Sequence, residues 1–268
     1  MRGGLLRDLL TAEIRRRMSY RADFWISAVS SLAVRLAVAW FIVKAVFEGS
    51  GRPVVGGYDA TQMFFYYVAV ILVGKLVQST DLEQSVSQDI YEGGLTRYLL
   101  YPVPYGAVKY VQQLGAMGPA AVQIAVFAAW IPLAFGWPPG LTPGGVAMGI
   151  AAIAMANLLH FLMTFPIQLV SFWADNVWSL MVMHRFASAL LGGMLAPLTL
   201  FSDSTRLVLE ALPFRYLFAF PVESMLGRLS PAQWAVGMLV GLGWCGVMSI
   251  LGRVVWRRGT FQYTGVGI

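Results

Sequence analysis

The chain has 268 residues, 58% of them hydrophobic and 12% charged, with a mean hydropathy of +0.67. That is far more apolar than a soluble domain of this length tolerates, so composition excludes a soluble fold and implies an integral protein of the lipid bilayer. Nineteen Lys and Arg against thirteen Asp and Glu give a net charge of +6, and the placement of that excess carries the topology.

Residues 1–23 carry apolar side chains at 5, 6, 9, 10, 14 and 18, with Arg7, Arg15, Arg16, Arg17 and Arg21 filling most of the other side. The pattern predicts an amphipathic helix lying in the membrane interface. It lacks the continuous apolar core and small-residue cleavage site of a secretory signal, so the chain is expected to keep it. Apolar runs long enough to cross a bilayer as helices, about 20 residues each, follow at about 24–47, 60–79, 110–135, 144–172, 177–202 and 231–256. None alternates as a membrane barrel strand does. The expected fold class is therefore all-α: a polytopic membrane protein of six transmembrane helices, forming one domain over residues 1–268.

Arg35 falls about midway along the first span, on the same helical face as Ser27 and Ser31. A charge at that depth costs about 3 kcal/mol or more on insertion scales. Contact with an anionic substrate group or with a partner chain in a cavity would account for it; so would snorkelling toward the interface with bonds to carbonyls. Arg35 and Ser31 are the candidates for a substrate path.

The cytoplasmic loop 80–109 contains the least bilayer-like stretch of the chain, Asp81 to Pro104. Leu82, Val86 and Ile90 recur every four residues among Asp81, Glu83, Gln84, Ser87, Gln88, Asp89 and Glu92, and Gly93-Gly94 ends the pattern. This predicts a short helix that grips apolar surface with one face and presents acidic groups elsewhere. Leu95, Tyr98, Leu99 and Leu100 form a second short apolar element, closed by Pro102 and Pro104, which turn the chain back toward the membrane. A solvated amphipathic loop is the plainer reading of the same residues.

The segment 203–228 is broken by Pro213 and Pro221 and too charged for a span, yet too aromatic for an ordinary loop. Two short helices in the outer membrane boundary, or a re-entrant hairpin, fit it, and a surface loop packed on the bundle is the alternative. Small residues four apart, Ala189 and Gly193 in the fifth span and Gly237 and Gly241 in the last, allow close helix approach and favour intramolecular packing over a dimer seam. Cys245, inside the last span, has no partner for a disulfide within the chain.

Placing the N-terminus inside puts thirteen of the nineteen Lys and Arg residues at the cytoplasmic face. Both termini and the loop 80–109 then face the cytoplasm. Chemistry of the chain's own is missing. No Gly-rich loop with Lys and Ser or Thr could cradle a nucleotide, no HExxH or Cys pair could bind a metal, and no G-x-S-x-G nucleophile turn occurs. His160 and His184 read as boundary or packing residues. All thirteen acidic residues fall outside the spans or at their ends, which argues against an ion-coupled carrier.

Several short runs together resemble a known family. These are Tyr20-Arg21-Ala22-Asp23-Phe24 before the first span, Asp89-Ile90 with Gly93-Gly94-Leu95, and Leu99-Leu100-Tyr101-Pro102. Phe172-Trp173, Gly193 with Pro197-Leu198, Leu212-Pro213-Phe214 with Pro221, and the tail Tyr263-Thr264-Gly265-Val266-Gly267 continue the series nearly end to end. The order and placement resemble the membrane subunits of ABC-2 type ABC transporters, in the group of ABC-2 family transporter protein permeases. The tail departs from it, ending in Gly267-Ile268 where paired glycines are common.

The resemblance implies a half-transporter that pairs with a second permease, the same or a related chain, and a cytoplasmic ABC ATPase dimer docked on the loop between spans two and three. Within that loop Asp81, Leu82, Glu83, Val86, Asp89, Ile90, Glu92, Gly93 and Gly94 are the expected ATPase-coupling residues. ATP and magnesium would belong to the partner subunit, so no cofactor, metal, catalytic residue or nucleic-acid partner is expected in this chain. The expected role is the permease subunit of an ATP-driven exporter in a prokaryotic plasma membrane. The alternatives are a secondary transporter or channel, or a structural or assembly membrane protein.

Overall fold

The structure, a computed structural model, describes residue 11, residues 21–78 and residues 84–263. Most of the expected interfacial helix over residues 1–23, the first coupling residues Asp81, Leu82 and Glu83, and the tail beyond Tyr263 lie outside the described residues. The described chain is all-helical. In order come α1 (Arg21–Ser50), α2 (Ala60–Val77), α3 (Ser85–Tyr91), α4 (Leu95–Leu99), α5 (Tyr105–Phe135) and α6 (Pro143–Leu169). After these come α7 (Trp178–Leu191), α8 (Asp203–Ala211), α9 (Ala219–Met225) and α10 (Pro231–Thr260), with 3₁₀ turns at Val170–Phe172, Leu198–Leu200 and Pro213–Leu217.

Among the described residues, five helices are long and apolar enough to cross a membrane: Trp25–Ser50, Ala60–Val77, Tyr105–Phe135, Pro143–Phe172 and Pro231–Thr260. Local chemistry sets their ends. Asp59 and Gln62 close a capping box over the start of α2. Ser230 and Gln233 do the same for α10, with Pro231 in the first turn, where its missing N–H costs nothing. At the far end of α2, Asn157 of α6 donates to the Leu76 carbonyl at 3.1 Å.

Residues 177–202, expected as one span, are not one helix. α7 has 14 residues, a length of about 21 Å, short of the bilayer's hydrocarbon core. It stops at Gly192, and Gly193 takes φ +83°, a left-handed conformation that favours glycine. The turn is stitched into the bundle. Tyr66 of α2 donates to the Gly193 carbonyl at 2.7 Å, Tyr67 donates to Leu195 at 3.1 Å, and the Ala219 amide donates to Gly192 at 3.0 Å.

The segment 203–228 folds into α8, a 3₁₀ turn and α9, and its aromatic character has a packing cause. Leu217, Phe218, Phe220 and Val222 are fully buried in the same core as α2 and α6. Between apolar helices in lipid, association rests on close packing and satisfied polar groups rather than on escape from water. Glycines supply the closeness here. A side chain at Gly237 would collide with the Phe220 ring and one at Gly241 with Met155, so this small-residue pair serves packing within the chain. α2 and α6 form the centre, 61% and 50% buried, whereas α1, α5 and α10 are 22–28% buried and leave broad apolar faces open.

Candidate functional site

Residues 84–104, between the second and third spanning helices, form a packed bracket at one end of the bundle. α3 lacks a side-chain cap of its own; instead Gln168, at the end of α6, accepts from the Val86 amide at 3.0 Å. Val86, Ile90, Leu95 and Tyr98 point inward onto Phe161, Phe165, Leu169 and Phe172, while Tyr105 stacks on Trp256 of α10 at 5.2 Å and 17°. Gly93, at φ +74°, makes the corner between α3 and α4. Tyr263 pins that corner, donating to the Gly93 carbonyl at 2.7 Å and accepting from the Thr96 amide at 3.3 Å.

Asp89 sits at the centre of the bracket. Its carboxylate takes Lys109 Nζ at 2.6 Å, the Tyr105 hydroxyl at 2.9 Å and Arg97 Nη2 at 3.3 Å. Lys109 also donates to the Ser85 carbonyl at 3.2 Å and stands 4.9 Å from the Tyr98 ring centre. Arg97 is exposed, and the Tyr98 ring and then Asp89 raise its affinity for its proton. A buried ion pair is tolerated only when its remaining donors and acceptors are satisfied, as these are.

The outward side differs in character. Gln88, Glu92, Thr96 and Arg97 are exposed, and beside them lie Tyr91, Leu99 and Leu100, the last 83% exposed. A groove of about 440 Å³ runs alongside α3, lined by Gln88, Tyr91, Asp175 and Asn176.

The family model described as ABC-2 family transporter protein matches residues 33–267. The chain belongs to this family. It is thus a multi-pass membrane permease component of an ABC transporter, and permeases of this kind work with an ABC ATPase. No curated protein matches the chain.

Within this ABC-2 permease the expected coupling residues divide. Val86 and Ile90 form the inward packing face, Gly93 and Gly94 form the corner, and Glu92 faces out. Asp89, expected among acidic groups offered to a partner, is instead buried and committed to Lys109, Tyr105 and Arg97. The exposed Leu99, Leu100 and Tyr91 were missed as surface residues, since in an apolar chain nothing marks them locally as outward. Helical spacing was the available signal, because Leu95 and Tyr98, three apart, claim the inward side.

Arg35 lies apart from the bracket. Its Nε donates to Ser31 at 3.4 Å, within α1, on an exposed face, and no described carboxylate forms an ion pair with it. Lys75 of α2 lies at a similar depth. Residues 35 and 75 each stand fifteen positions from the ends of α1 and α2 that the loop 51–59 connects, about 22 Å along the axis. Lys75 donates to Gln123 of α5.

Proposed function

We propose that this permease is the membrane half of an ATP-driven exporter, with a separately encoded ATPase docking on α3 and α4. The exposed apolar tip carries the reading. Leu99, Leu100 and Tyr91 stand on an element whose other side is bonded to α5, α6 and the tail, so a push on the tip is passed on rather than absorbed. Central apolar anchors ringed by polar groups are what a protein interface uses for affinity. Here Glu92, Gln88 and Arg97 supply the ring.

A second permease, the same or a related chain, would cover the open faces of α1 and α5. Arg35, with Ser31 and Lys75, would then line the path between the two, where a buried cation suits a substrate with an anionic group. The excess of Lys and Arg at that face supports a cytoplasmic N-terminus and α3–α4 bracket, in what we take to be a prokaryotic plasma membrane.

The test is co-purification with the candidate ATPase and measurement of its activity in vesicles. Leu99→Asp with Leu100→Asp is expected to cut ATPase recovery at least about tenfold, with the permease still inserted and folded. Undiminished recovery with that double variant would sink the docking assignment. Arg35→Ala is expected to weaken export while leaving assembly intact; unchanged export would remove Arg35 from the path.

A further inference from the structure

At the end of the bundle opposite the bracket lies a cavity of about 800 Å³, within the size range of small-molecule sites. Its wall is drawn from five parts of the chain: the loop between α1 and α2, the 3₁₀ turn at Leu198–Leu200, the segment α8 to α9, the connection from α9 to α10 with Arg228, and the first turns of α10. We propose that this cavity binds a phosphate-bearing anion, as a lipid headgroup or as a free phosphate. The proposal is independent of the export reading.

Charge comes first. Three arginines, Arg206, Arg215 and Arg228, face two glutamates, Glu210 and Glu223. Arg206 pairs with Glu210 at 2.8 Å, and Arg215 reaches Glu210 at 3.4 Å and Glu223 at 3.0 Å. That exhausts the carboxylates and leaves Arg228 without one among the described residues. Its guanidinium is nonetheless fixed in place, donating to the Gly57 carbonyl at 2.7 Å and lying 3.7 Å over the Tyr58 ring. Burial raises the Glu223 carboxyl above its ordinary range, with Arg215 pulling the other way. The positive end of the α10 dipole adds to the charge of the arginines.

Donors without acceptors come second. Arg215 Nε and Thr199 Oγ1 are buried in this wall with no protein partner. Buried donors of this kind are rare because each one left unpaired costs about 1–3 kcal/mol. Two N–H or O–H groups and a spare guanidinium call for a ligand with several acceptor oxygens, which a phosphate offers and a cation or a neutral amine does not. Phe220 and Val236 in the same wall leave apolar surface for whatever carries the phosphate.

The full-length chain, purified in detergent, serves as the test. Native mass spectrometry would compare retention of phosphatidylglycerol and phosphatidylcholine, and calorimetry would titrate sodium phosphate. The wild type is expected to hold phosphatidylglycerol at least about tenfold more tightly than phosphatidylcholine, or to bind inorganic phosphate, and Arg228→Gln is expected to abolish whichever is seen. Binding of phosphate by itself identifies a free anion; preference for phosphatidylglycerol without it identifies a headgroup. Val236→Trp fills the cavity and alters no charged residue, so it decides the matter if Arg228→Gln does not fold. Equal retention of both lipids with no heat from phosphate overturns the proposal, as does binding undiminished in both variants.

Discussion

Lys109 Nζ lies 2.6 Å from the Asp89 carboxylate, with the two side chains only 5% and 9% exposed. The contact joins α3 to the first turns of α5 and makes the bracket one piece with the spanning helices.

Removing Lys109 leaves the buried Asp89 carboxylate to the more exposed Arg97, and breaking a buried pair costs up to about 3–5 kcal/mol. Lys109→Met alone is therefore expected to lower the melting temperature of the purified permease sharply. Asp89→Leu with Lys109→Met should recover most of that loss, because the neutral pair needs no solvation. A double variant as unstable as the single one would show that the pair holds more than its own charges.

Gly193 ends α7 in a left-handed turn where an added Cβ would stand 2.8 Å from the Tyr66 hydroxyl. Strain at such a position costs about 1–3 kcal/mol for other residues. Gly193→Ala should destabilise by that order in a denaturation series. Tyr66→Phe, which removes one neutral hydrogen bond, should cost about 1 kcal/mol.

Tyr58 is buried beneath Arg228, and burial, then the nearby Glu223 charge, pushes its phenol above the ordinary value, with Arg228 opposing. A folded-state pKa raised in this way contributes stability that is whole below about pH 10 and lost as the pH climbs through the raised value. The melting temperature of the wild type should fall more steeply than that of Tyr58→Phe between about pH 10 and about pH 12. Parallel curves would place the phenol in water.

Tyr263 holds the corner of the bracket through hydrogen bonds to the Gly93 carbonyl and to the Thr96 amide and hydroxyl. Tyr263→Phe is expected to cost about 1–3 kcal/mol of local stability, read as faster amide exchange at Thr96 with little change in the spanning helices. Unchanged exchange there would mean that the ring packing against Phe172 fixes the tail unaided.

Much of the fold was legible in the sequence, and the reasons are particular. The ends of α2, α6 and α10 are written in Asp59, Thr142-Pro143 and Ser230-Pro231, side chains that cap from inside the same turn. α7 was misjudged because hydropathy counts residues and does not see that Gly192 must nestle against Phe214 and Phe218. The buried aromatics of 217–222 escaped for the same cause, since their partners lie on α2, α6 and α10. Asp89 was recoverable from spacing: it stands three after Val86 and one before Ile90, on the face that packs. What spacing could not supply was Lys109, the cation that makes such a position tolerable.

α6 touches both ends of the molecule. Gln168 and Phe165 hold the bracket, and Gly145 and Gly149 lie against the last turn of α9, beside Glu223. A helix of 27 residues is about 40 Å long. Rocked about its middle by about 5°, such a rod moves each tip nearly 2 Å in opposite directions. Were it to pivot at the core around Asn157, a small displacement of the bracket would reach the α9 end with its direction reversed.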